Sequence, residues 1–404
     1  MPEAPTGKPD AAAIRNLVLV CIGLTSVFVA QTMLLLAVPL RALDMGASPA
    51  MVGLVLSAPY LLPLLLAIPL GGVVTRVGAQ KVTLLGACGM FAGPWLTLAV
   101  PGLVGLLATQ LVIGIAHVVM VIAAQSIVAS LGRGRQLERY FGWYTMCLSG
   151  GQLIGPLLAG RLIDTQPMAS VIMVIGTLPL IAVTTSLLFV GDSRKGHVAP
   201  RALLGYRAQA SLLRANIGVK MSIAVTVAVL FALAAHAVFL PVYLESIALS
   251  ATAIGVLISL RALCAMLIRP FMPGVIQALG GRSRTMIASV AAVALGMMWT
   301  GATDSIGLLA FYAVLVGLGS GISQPLSMVV LAEHVSAEQR ASALGMRLMG
   351  NRGAQVLAPL LLGFIAEWLG FTLAFLLCGA ILLCLLTVVI RLAPGFDRAE
   401  REAA

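Results

Sequence analysis

The chain has 404 residues, 60% hydrophobic and 10% charged, with a formal net charge of +11 and a mean hydropathy of +1.06. Soluble domains carry about a quarter charged residues, so this composition excludes an ordinary water-exposed surface. The basic excess does not point to nucleic acid either, because it forms no basic face and has no stacking aromatics around it.

A helix needs about 20 apolar residues to cross about 30 Å of hydrocarbon. Twelve such stretches are predicted, near 16–39, 50–74, 82–101, 103–131, 140–163, 168–190, 217–243, 252–277, 285–303, 306–332, 341–366 and 370–391. The expected fold class is therefore an all-α integral membrane protein. Lys and Arg gather in the tails and in alternate connections. The other connections are short and carry Asp44, Asp164, Glu245, Asp304 and Glu367, with Arg41 and Arg161 as their cations. The positive-inside rule then places both termini in the cytoplasm.

The polar start, MPEAPTGKPDAAAIRN, runs directly into the first span without a convincing cleavage site, so that span is expected to be a retained signal anchor. Gln31 lies within it. The connection after span two reads GGVVTRVGAQK, with Gly71, Arg76, Gly78 and Lys81 at its punctuating positions. In span four, Gln110, Gly114 and His117 share one helical face by spacings of three, four and seven. Histidine titrates near neutrality, which makes His117 a candidate proton carrier or ligand contact. A hydrogen bond to a neighbouring helix is the competing role. Gln125 follows on the same span.

Span five contains GWYTMCLSGGQLIGPLLAG, from Gly142 to Gly160, with Gly151, Gly155 and Pro156 between. Glycines four apart let helix backbones approach closely, and proline bends the span. A degraded copy, GMRLMGNRGAQVLAPLLLG, runs from Gly345 to Gly363, 203 residues later. The copies share Gly142/Gly345, Gln152/Gln355, Pro156/Pro359 and Gly160/Gly363. Long internal repeats in an apolar chain indicate a secondary transporter with its site between two halves. The expected division is residues 1–190, a cytoplasmic linker 191–216, and residues 217–404. The linker is basic and rich in Gly, Pro and Ser, and Leu203 to Leu213 has the pattern of an amphipathic helix for anionic headgroups.

The second half supplies the intramembrane charges. His236 lies in span seven as a second proton candidate, Arg261 about ten residues into span eight, and Arg352 about eleven into span eleven. Such a charge costs roughly 3 kcal/mol even on insertion scales and faces a cavity or a partner. With no acid at that depth, a substrate anion is one partner for Arg261 and Arg352, since guanidinium binds carboxylate or phosphate through two parallel bonds. Helix carbonyls or water are the other. Arg347 is expected to be a gate or headgroup contact, and Arg269 an anchor. Gln324, beside Pro325 in span ten, is a further neutral contact, whereas Gln152 and Gln355 are expected to bond across helices. The six cysteines fall within spans and read as packing, and no Cys/His spacing suggests a metal. No nucleotide loop, nucleophile set or cofactor motif points to an enzyme.

The loop Gly71 to Lys81 resembles the GxxxDRxGRR signature of the major facilitator superfamily, with Thr75 in place of its Asp and Ala79 in place of an Arg. The Gly142 to Gly160 segment resembles the family's fifth-span exporter and antiporter motif, with Ala159 replacing one glycine. ATQLVIGIAHVVM resembles its fourth-span motif, with Gln110 at the Arg position. The resemblance implies two pseudo-symmetric six-helix bundles working by alternating access in the cytoplasmic membrane, as a monomer, on a small-molecule substrate with protons as a possible partner. It assigns the glycines, Arg76, Lys81 and Pro156 to gating. The missing Asp and Arg argue against simple proton-driven drug exchange. Export or exchange of a small organic anion or amphiphile is expected, with Arg261, Arg352, His117, Gln31, Gln125 and Gln324 contacting it. A proton-coupled multidrug exporter, a proton-independent facilitator or importer, and a non-transporting scaffold are the alternatives.

Overall fold

The computed structural model describes the backbone of residues 11–131, 134–189, 206–336 and 339–403, with side chains over 11–66, 77–131, 136, 139–189, 211–336, 339 and 343–402. Hydrocarbon offers backbone groups no partners, and a helix satisfies them within one segment. Every regular element among the described residues is accordingly helical. In order these are α1 (Ala11–Asp44), α2 (Pro49–Val77), α3 (Ala79–Ala92), α4 (Trp95–Ala99), α5 (Leu103–Ser130), α6 (Gly134–Thr165), α7 (Met168–Thr177) and α8 (Leu180–Leu187). There follow α9 (Tyr206–Ala215), α10 (Ile217–Ser246), α11 (Ala251–Ile268), α12 (Met272–Ala278), α13 (Arg282–Thr300), α14 (Ile306–Glu333) and α15 (Arg340–Ala403).

Ten stretches among the described residues are long and apolar enough to cross a membrane. The last, Ala343–Glu402, is bent where Gly370 adopts φ 80 and ψ 167. The predicted spans need three corrections. Span three breaks at Gly93 and Pro94, and span six at Leu178 and Pro179, where proline supplies no N–H. The final helix continues to Ala403, past the predicted end at 391. Large apolar side chains such as Leu85, Val104 and Trp368 are two-thirds or more exposed, at 67%, 70% and 72%, as suits a surface that meets lipid.

Helices of residues 11–188 pack mainly on one another, α1 along α6 and α8, and α5 along α2 and α3. Those of residues 217–403 do the same, α10 along α15, and α13 along α14 and α15. Two long seams join the sets, α2 with α15 and α6 with α11, and α1 also touches α10. Small residues build the seams. A Cβ added at Gly53 would strike the carbonyl of Pro359, at Gly363 the Pro49–Ala50 backbone, at Gly160 that of Ala251, and at Gly255 the carbonyl of Pro156. Gly151 and Gly155 press instead on Phe28, Val29 and Thr32 of α1, and Thr32 Oγ1 donates to the Gly151 carbonyl at 3.0 Å. Nothing lies within 4 Å of a Cβ at Gly142.

Gly78 caps α3 at φ 97, and its repeat equivalent Gly281 caps α13 at φ 130, conformations that favour glycine. Lys81 is exposed. The expectations for Gly71 and Arg76 fall on side chains outside the described residues, and so does most of the linker. Within the linker, α9 buries Leu212 in a cluster with Val219, Leu331, Val335 and Ala343. At least one apolar residue of the expected headgroup helix thus faces protein.

Candidate functional site

Among the described residues, polar clusters form around Arg352, Arg261 and Arg347. The first joins the two sets of helices. His117 of α5 packs edge-on against Phe28 of α1, ring centroids 4.8 Å apart, and its Nε2 is buried without a hydrogen-bond partner. The Arg352 guanidinium of α15 lies 5.9 Å from the Tyr60 ring centroid of α2, within cation–π range, and acts electrostatically on both His117 and Tyr60. Its Nη1 donates to Gln355 Oε1 at 3.0 Å. Gln355 therefore bonds within its own helix, where the sequence suggested a bond across helices. Gln152, its repeat equivalent, is exposed.

The second cluster pairs His236 of α10 with Arg261 of α11. His236 is 2% exposed, Arg261 acts on it electrostatically, and both His236 Nδ1 and Arg261 Nε are buried without hydrogen-bond partners.

The third centres on Arg347, which is 8% exposed. Its Nε donates to Thr226 Oγ1 at 3.2 Å, and its Nη2 to Ser327 Oγ at 3.2 Å and to the carbonyl and Oε1 of Gln324 at 3.4 Å. Thr226 Oγ1 donates in turn to Ser327 Oγ at 2.9 Å, and Ser222 Oγ to the Ser327 carbonyl at 2.6 Å. Gln324 Nε2 and Asn351 Oδ1, the latter one helical turn beyond Arg347, are buried without partners. A headgroup contact for Arg347 is thereby corrected, since α10 and α14 cover it with neutral groups.

Arg269 donates from Nη1 to Ser149 Oγ of α6 at 3.0 Å, tying α11's end across the seam. Gln31 is half-buried, and Gln125 is exposed. The ion pairs among the described residues belong to Arg282, which meets Glu333 at 2.5 Å and Glu400 at 3.0 Å. The hydrogen bond to Glu333, aided by both carboxylates, raises the Arg282 pKa above its ordinary value. Arg347, buried, and Arg261 and Arg352, half-buried, thus have no carboxylate partner among the described residues. Buried polar atoms are nearly always paired with protein or water, so five orphaned atoms around these cations mark positions for water or ligand. A guanidinium so placed can take a carboxylate or phosphate oxygen pair. Two clefts, of about 380 and 410 Å³, lie elsewhere, one against Asp44 and Glu245 and one between α1 and α6 beside Arg139 and Trp143. No group of His, Cys, Asp and Glu among the described residues could hold a metal ion.

Tyr60 and Asn351 were not singled out from sequence, and Arg347 was expected at a gate or headgroup rather than in a buried polar cluster. The available signal was the run of buried hydroxyls, Ser222, Thr226 and Ser327, at spacings that face Arg347 once α10, α14 and α15 pack.

The sequence profile of the Major Facilitator Superfamily matches residues 20–245 and again residues 222–403. The multi-drug resistance efflux pump PmrA of Streptococcus pneumoniae is 28% identical over 171 residues, 41% of this chain and 42% of the pump, so less than half of that relative's length is matched. A bacterial homologue of the human lysosomal transporter Spinster, solved inward-facing and unoccupied, superposes with a TM-score of 0.78 at 14% identity, over 97% of this chain and 99% of that one. The human organic anion transporter MFSD10 gives 0.67 at 18% identity, over 96% and 100% of the two chains. At these identities the solved structures share the fold.

Proposed function

The chain belongs to the Major Facilitator Superfamily, and from that premise we propose that it is a secondary active transporter exporting or exchanging a small organic anion or anionic amphiphile. The reading takes the helices as twelve spans in two pseudo-symmetric bundles, residues 1–190 and 217–404, joined by the linker 191–216. Counting α13 and dividing α15 at Gly370 brings the ten apolar stretches to twelve. By charge distribution the protein lies in the cytoplasmic membrane with both termini inside.

The observation that carries the anion is the set of three guanidinium groups, the buried Arg347 and the half-buried Arg261 and Arg352, for which no carboxylate partner is found among the described residues. Arg352 is the primary ligand, because it reaches across the seam to Tyr60 and His117 and so feels both bundles move. Gln324 and Arg347 form a second contact, with Arg261, Gln31 and Gln125 supporting. The neutral-to-charged change of His117 or His236 would supply a proton site. The organic anion transporter of like fold agrees with this substrate class.

In proteoliposomes, Arg352→Gln and Arg347→Gln are expected to lower organic-anion flux roughly tenfold or more each, the scale of a lost hydrogen bond to a charged group. Arg→Lys should retain part of it, as a point charge without the planar fork. Unchanged flux in all of these variants would remove the anion reading. The PmrA relationship favours a second reading, multidrug efflux, taken here as proton-coupled. Dye accumulation in everted vesicles that depends on a pH gradient, with no anion flux, would establish it instead.

A further inference from the structure

The two copies of the repeat extend beyond their glycines in a way that the structure explains. Pro156, Gly160 and Asp164 recur as Pro359, Gly363 and Glu367, proline, glycine and acid each four residues apart and offset by 203. The helix that each copy packs against begins with a second shared pattern, Ser48 with Gly53 on α2 and Ser250 with Gly255 on α11.

These patterns meet across the seams. Asp164 of α6 accepts the backbone N–H groups of Ala251 at 2.9 Å and Thr252 at 2.8 Å, the first two residues of α11. Glu367 of α15 accepts the N–H of Ala50 at 3.1 Å, the second residue of α2, and the Ser48 hydroxyl at 2.6 Å. Ser250 and Ser48 then accept the next free donors, from Ala253 at 3.2 Å and Met51 at 3.4 Å. The first N–H groups of a helix have no partner in their own helix and carry a partial positive charge. Each carboxylate therefore neutralises the end of a helix in the opposite set. Directly beneath each cap, the glycine contacts Gly160 on Ala251, Gly255 on Pro156, Gly363 on Pro49 and Ala50, and Gly53 on Pro359 leave no room for a side chain.

The other end of the molecule differs. The connections from Gly71 to Lys81 and from Pro273 to Arg284 contain no acid. The carboxylates that hold Arg282 there, Glu333 and Glu400, come from its own set of helices.

The geometry points to a paired latch: Asp164 and Glu367 hold the outer end of the transporter shut, one on each seam, and both must leave their helix ends before the cavity can open outward. This rests on the alternating-access reading above. One bundle rocking against the other strips both caps together because the pseudo-two-fold relation places them on opposite sides of the same mouth. The latch makes the state closed on the outside the resting one.

Hydrogen exchange of the reconstituted full-length protein tests this without any substrate. Asp164→Ala and Glu367→Ala are each expected to speed exchange in the segments below the caps, Val55 to Ser57 and Leu257 to Ser259, roughly threefold, and the double variant roughly tenfold, a size already discounted for solvent screening of exposed carboxylates. Exchange at the inner starts of α3 and α13 should slow in parallel as that end closes. Asp164→Asn and Glu367→Gln keep shape and one acceptor oxygen, so they should give the same pattern at smaller size, even where an alanine variant folds poorly. Faster exchange confined to Ala50, Ala251 and Thr252, with the inner ends unchanged, would show simple helix caps and overturn the latch. No change in any variant would overturn it as well. A shift in exchange without anion flux in the wild type would keep the latch and reject the substrate reading.

Discussion

Among glycines in regular helix, some press on another backbone and some have open space, and an added side chain should act in opposite directions at the two. A Cβ at Gly114 would run into the backbone of Pro59, where α5 crosses α2. Gly114→Val is therefore expected to push these helices apart and to cost about 1–3 kcal/mol, the usual range for overpacking. Gly142 has open space around the position of a Cβ. Gly142→Ala should raise stability by up to about 1 kcal/mol through helix propensity. Thermal unfolding in one detergent measures both, and a lower melting point for Gly142→Ala would show a role outside packing. The face shared by Gln110, Gly114 and His117 was legible from spacing. The burial of Arg347 was not, because counting residues from the start of a span measures depth and not cover. Hydroxyls from α10 and α14 supply that cover, and they come together only in the packed molecule.

At the scale of elements, the breaks follow proline and glycine chemistry more closely than hydropathy. Pro94 and Pro179 each start a new helix and divide a predicted span, whereas Pro156 and Pro359 stay inside long helices. The last two cannot donate to the carbonyls four residues earlier, those of Gln152 and Gln355, and their own carbonyls receive Gly255 and Gly53 at the seams. Hydropathy averages over such positions, so the apolar stretches were readable, twelve expected against ten found among the described residues, and their internal breaks were not. Gly370 separates the last two helices at a positive φ of 80 with nothing within 4 Å of a Cβ. Its requirement is thus purely one of backbone conformation. Gly370→Ala should destabilise by about 1–3 kcal/mol through strain alone, read as a lower melting point. An unchanged melting point would mean that the bend tolerates an ordinary residue.

For the whole molecule, the internal repeat had the greatest reach. An offset of 203 residues, visible in four shared positions, led to the expectation of two related halves, and it makes Asp164 the counterpart of Glu367. The same repeat carried no information about substrate, because its glycines and prolines serve contact between helices. The arginines to which the proposed function assigns the substrate, Arg261, Arg347 and Arg352, occur in the second half, with Ala58, Tyr144 and Ser149 at the equivalent positions of the first. On that proposal, α15 brings Arg352 to Tyr60 and His117, while Arg261 lies with His236 of α10 and Arg347 with α10 and α14.

The central claim is that this interior is built for an anion, and ligand-induced stabilisation of the purified protein tests it most directly, since a ligand that binds the folded state raises its apparent stability. Organic anions, cationic dyes and sugars are compared at equal concentration in wild type and in Arg352→Gln. The account predicts a higher melting temperature with one or more organic anions, lost in the variant. Stabilisation by cations or sugars alone, or by anions equally in both proteins, would contradict it.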